Sequence, residues 1–93
     1  MNFTDLYLVS SYEEDTDMVM LISSKSNHDL RLSVNADAQT GAIKEIVCAI
    51  STNEGFYYPE YSPTKAQLAL FRKFSNQIIN GAKFVRKMIG GHP

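Results

Sequence analysis

Few residues in this chain can do covalent or acid–base chemistry. There is one cysteine, Cys48, and there are two histidines, His28 and His92. Catalysis needs a nucleophile with a base and an orienting group, or a metal, or paired carboxylates in a cleft. Cys48 stands in "IVCAI", between apolar neighbours on an expected strand. Such surroundings raise a thiol's pKa and leave little thiolate, so Cys48 is expected to be inert core. His28 lies in the polar stretch "SKSNHD" and His92 is the penultimate residue. Two isolated histidines and one thiol do not make a zinc spacing. "EEDTD" (13–17) concentrates acids but lacks the Asx spacing, central Gly and closing Glu of a calcium loop, so it reads as a solvated turn. Gly90-Gly91 closes a helical stretch and follows no strand, which excludes a phosphate loop there. The expectation is no catalytic residue, no metal and no cofactor. A small enzyme would require Cys48 or His28 to be unusually placed.

Binding chemistry is richer. Residues 1–61 hold ten acids and three bases, a charge of −7, whereas residues 62–93 hold six bases and no acid, a charge of +6. The six are Lys65, Arg72, Lys73, Lys83, Arg86 and Lys87. At about 100° per residue, with Phe71 at zero, they fall between about 60° and 200° and share one helical flank. A solvated face usually mixes signs, so an all-basic flank is a candidate surface for an acidic protein or a nucleic acid. Leu70, Phe84 and Met88 cluster at roughly 220° to 260° on the same wheel, an apolar strip suited to a partner or a homodimer. "EGFYYPEYSP" (54–63) adds four rings. Phe56 and Tyr61 are expected to close the core, which leaves Tyr57 and Tyr58 as candidates for stacking on bases.

These groups must be held by definable elements. "LRLSV" (30–34) alternates strictly and reads as a half-buried strand. "FTDLYLVSSY" (3–12), "MVMLISS" (18–24) and "AIKEIVCAIS" (42–51) read as three more, the last with Ile46, Cys48 and Ile50 on one face. Short polar connections between them favour antiparallel neighbours, hence a meander over 3–51. Residues 54–61 read as an aromatic corner, with Pro59 excluding a central strand. A helix is expected over about 63–89. Either Ser62 caps it with Pro63 at the first position, or Thr64 and Gln67 form a capping box. Its stripe is Phe71, Phe74, Ile78, Ala82, Val85 and Ile89, in phase across Asn80-Gly81.

The expected fold is therefore α+β: one domain over 1–93, with an antiparallel sheet of about four strands and a long C-terminal helix packed on one face. No apolar run is long enough for a bilayer, and the opening "MNFTDLYLVSSYEE" lacks the features of a signal peptide. With a single thiol, the chain is expected in the cytoplasm. The expected function is non-catalytic binding of a macromolecular partner through the basic helix flank. The alternative is nucleic-acid binding by those bases with Tyr57 and Tyr58.

Overall fold

Strict alternation builds one face of a sheet. Leu30, Leu32, Val34 and Ala36 are buried, and Arg31 between the first two is exposed. Met18, Met20 and Ile22 are buried one strand away, where Leu21 is exposed but Val19 is buried too, and Cys48 lies opposite Leu32 on the other side. In a computed structural model of the chain, which describes residues 3–90 and side chains as far as Ala82, these segments belong to five strands. They are β1 (Leu6–Glu14), β2 (Asp17–Ser24), β3 (Asn27–Asp37), β4 (Ile43–Thr52) and β5 (Gly55–Tyr57), followed by helix α1 (Lys65–Gly90). The strands pair antiparallel in sequence order, an α+β meander.

The sheet has five strands rather than about four. The extra one, β5, lies inside the expected aromatic corner, where Gly55 pairs with Thr52 and Phe56 with Ser51. It is short and at the edge, and it ends two residues before Pro59, which has no N–H for a ladder. The strands are also longer than their hydrophobic runs. β3 begins at Asn27 and so takes His28 out of the expected turn; it runs on to Asp37. The connections shrink to match: Asp15-Thr16 joins β1 to β2, with Asp15 at φ 57, and Lys25-Ser26 joins β2 to β3. Asp37 shapes the third turn, its Oδ1 accepting the N–H groups of Gln39 and Thr40 at 2.8 Å each. Those bonds favour the ionised carboxylate and hold its pKa below the usual range.

The helix starts at Lys65, on the capping box and not on Ser62-Pro63. Thr64 Oγ1 accepts from the Gln67 N–H at 3.1 Å, and Gln67 Oε1 accepts from the Thr64 N–H at 3.0 Å. Gln67 also receives the Tyr61 hydroxyl at 2.7 Å and donates to the Phe3 carbonyl at 3.1 Å, tying the N-terminal tail to the helix start. Tyr61 is half-buried against Phe3, their ring centroids 5.8 Å apart, as expected of a ring that closes the core. Phe71 is fully buried, and Phe74 and Ile78 pack beside it. Val85 and Ile89 of the expected stripe lie outside the described side chains.

One polar contact brings helix and sheet to close range. Ser75 is fully buried, and its hydroxyl donates to the Gly41 carbonyl at 2.9 Å. Gly41 has φ +76, and a Cβ there would lie 2.9 Å from Asn76 Oδ1 and 3.0 Å from Ser75 Oγ. Only glycine fits both the backbone and the gap. The helix thus begins over the end of the sheet that holds the β2–β3 turn and crosses to the β3–β4 turn.

Candidate functional site

Helix α1 covers only one face of the sheet. The residues of opposite parity form the other, and the register identifies them. Ser10, Leu21, Ser33 and Val47 make one row across β1 to β4. Tyr7 and Ser23 lie in the next row, with Arg31 and Ala49, and Phe56 pairs with Ser51 beyond them. Tyr12, Val19, Asn35 and Glu45 make the row on the other side. Five large apolar side chains of this face are substantially exposed: Tyr7 36%, Leu21 37%, Val47 43%, Tyr12 52% and Phe56 58%. Val9, skipped where the β1–β2 register shifts, adds a sixth, and Tyr58 at 65% a seventh. Phe56 and Tyr58 lean on each other, with centroids 6.4 Å apart.

Arg31 sits in the middle of this surface. Two shallow depressions adjoin it, one lined by Tyr7, Val9 and Leu21 and the other by Val47, Phe56 and Tyr58. The guanidinium folds back, with Nη1 donating to the carbonyls of His28 at 2.6 Å and Leu30 at 2.9 Å. Among the described residues the one ion pair is Lys44–Asp17, and there neither Arg31 nor the exposed Glu45 has an opposite charge within 4 Å. Asn35, beside Glu45, buries an Oδ1 that accepts no hydrogen bond.

The residues singled out from sequence are dispersed. Lys65, Arg72 and Lys73 are exposed on the helix, and none of them forms an ion pair among the described residues. Lys83, Arg86 and Lys87 lie outside the described side chains, as do Phe84 and Met88 of the apolar strip. Leu70, the remaining strip residue, is half-buried. Tyr57 and Tyr58 are both exposed, on opposite sides. Tyr57 pairs with Ile50 and lies on the helix-bearing side, while Tyr58 lines a depression of the open face. Phe56 departs from its expected place in the core. Its partner Ser51 belongs to the open face, so alternation turns the ring away from the helix.

The groups considered for catalysis are separated. Cys48 is buried on the helix-covered face, and burial pushes its thiol up. His28 is exposed at the start of β3. Among the described residues no three His, Cys, Asp or Glu side chains are placed to hold a metal ion. No helix among them is long and apolar enough to cross a membrane.

Tyr7, Val9, Leu21 and Val47 went unrecognised as surface residues, although a signal for them exists. "MVMLIS" (18–23) is apolar at both parities, the pattern of a strand covered on two faces. Among the described residues there is one long helix, which covers one. No family model, no curated protein and no solved structure matches this chain.

Proposed function

We propose that this chain is a small non-catalytic interaction module, acting in the cytoplasm, that binds a macromolecular partner on the open face of its sheet. The observation that carries this reading is the row of exposed apolar side chains on a face that α1 leaves uncovered. Large contiguous apolar patches on a soluble domain mark contact surfaces. Aromatic rings with a central arginine are also the residue types that dominate such contacts. The acidic turns at one end of the sheet keep the remaining surface hydrated. A lone buried thiol suits a reducing compartment.

A second reading places an anionic partner on the basic flank of α1. It is favoured by Lys65, which stands in the first helical turn, where the backbone dipole disfavours a cation and where no acid offsets it. Direct nucleic-acid binding is the weaker form of this reading. Tyr58 lies on the open face, away from the helix bases, and the open face carries Arg31 with few other cations. Single-strand platforms need aromatic rings and a positive groove together.

Affinity capture from the native cell tests both, with and without nuclease. The open-face reading expects Val47→Asp to abolish capture and nuclease to leave it intact. Full capture by Val47→Asp, with loss in a Lys65→Glu/Arg72→Glu/Lys73→Glu variant, would replace it with the helix-flank reading.

A further inference from the structure

We infer that the occupant of the open face is a second copy of this chain, packed face to face about a two-fold axis. This rests on the reading of that face as a contact surface and names its partner. The first support is the charge pattern. Arg31 and Glu45 are exposed, opposite in sign and without an ion partner among the described residues. They lie two residues on either side of the Ser33–Val47 pair, Arg31 on β3 and Glu45 on β4. A two-fold axis running in the plane between two such faces, above Ser33 and Val47, carries Arg31 of each copy onto Glu45 of the other. One operation thereby satisfies both charges twice, the reciprocity that an isologous interface requires. An unrelated partner would have to supply the two complementary charges itself.

The geometry of sheet packing agrees. With about 3.4 Å per residue and about 4.8 Å between strands, the Arg31–Glu45 line leans roughly 20° from the strand direction. An axis perpendicular to that line makes the two sets of strands cross at about 40°, close to the roughly 30° of aligned sandwiches. Leu21 and Val47 then meet their own counterparts near the axis.

Area is the second support. A fully covered aromatic ring removes about 150–250 Å² from water, and the rings here are about half exposed. With Val9, Leu21 and Val47, the apolar surface on offer is on the order of 600 Å² per copy, against about 800 Å² of total surface per partner in a standard interface. Ser10, Ser33, Arg31 and Glu45 of the same rows, which are exposed or half-exposed, make up the difference. The face matches the size of a stable dimer contact without any further element.

Sedimentation equilibrium of the full chain from about 1 to about 200 µM tests this. The expected result is a monomer–dimer equilibrium that Val47→Asp weakens at least tenfold. Arg31→Glu and Glu45→Arg should each weaken it, and the double variant should restore it to within about threefold of the parent, because the exchanged charges still meet. Both charged side chains are exposed, so this swap remains a test even if Val47→Asp fails to fold, which circular dichroism would show. A wild-type chain that stays monomeric throughout would overturn the inference, as would a dimer unmoved by Val47→Asp or a double variant no better than the singles. A monomer whose cellular capture still depends on Val47 would overturn self-pairing alone and leave the open-face reading standing.

Discussion

Cys48 and Val47 are neighbours on one strand, yet Cys48 is 5% exposed and Val47 is 43%. Met20 and Leu21 on β2 differ in the same way, at 0% and 37%. The helix-covered face and the open face are built from the same strands and from side chains of similar hydrophobicity. What separates them is parity, together with the presence of a single helix. The covered face has Phe71, Phe74 and Ile78 pressed onto it, and the Ser75–Gly41 contact holds the helix close. On the open face Val19, Ser23 and Ala49 are buried by their neighbours in the sheet, while Tyr7, Leu21, Val47, Tyr12 and Phe56 stay exposed, and no helix among the described residues lies over them. Among the described residues the strands are apolar at both parities, and the helix covers one of their two faces.

That contrast can be broken most forcefully through Phe71. Phe71→Ala should cost about 3–5 kcal/mol, since it removes a fully buried ring and leaves a cavity. Phe74→Ala should cost less, because that ring is only half-buried. At sub-micromolar protein, Phe56→Ala on the open face should change stability by no more than about 0.5 kcal/mol. Urea melts of the three variants compare the faces directly. An equal loss for Phe56 and Phe71 would mean that the two faces are not different in kind.

Gly41→Ala should cost about 1–3 kcal/mol, from a left-handed backbone and a close approach to Ser75 and Asn76. Gly55→Ala isolates the backbone part of that cost. Gly55 also has positive φ, but no atom lies within 4 Å of an added Cβ. A larger loss at Gly41 than at Gly55 would show that the helix is held tightly against the β3–β4 turn.

Tyr61 gives the covered side a pH signature. Burial pushes its hydroxyl up to about 12, from an ordinary value near 10. The neutral ring is therefore favoured in the folded state. Its contribution to stability is intact below pH 10 and is lost as pH rises from about 10 to about 12, where the unfolded chain ionises first. Urea midpoints should fall over that window, and less so in Tyr61→Phe. An identical fall in both would assign the effect to other groups.

The gentlest test leaves stability almost untouched. A thiol reagent should modify Cys48 slowly in the native protein and quickly after denaturation. A thiol moved one residue, in Val47→Cys/Cys48→Ser, should react fast in dilute solution. If the two rates coincide, the parity assignment of β4 is wrong.

Much of this architecture is determined locally. The alternation of Leu30, Leu32 and Val34 and the 3–4 spacing from Phe71 to Ile78 each express a period, so the sequence alone determines the antiparallel sheet and the helix, while the choice between Ser62 and the Thr64–Gln67 box as its start is made by the hydrogen bonds of the fold. The buried placement of Cys48 among apolar neighbours belongs with them. Other features depend on contacts between residues far apart in the chain. β5 forms because Phe56 finds Ser51, a pairing too short to leave a periodic signal, and the same register turns the ring outward. Ser75 reads as an ordinary polar helix residue until Gly41, 34 positions away, supplies its acceptor. The open face was half legible. Strands apolar at both parities demand two covers, and one helix supplies one. Which rings of the aromatic segment stay exposed, and where Arg31 stands relative to Glu45, is decided by the strand register, because alternation assigns a face within one strand but not the neighbour across it.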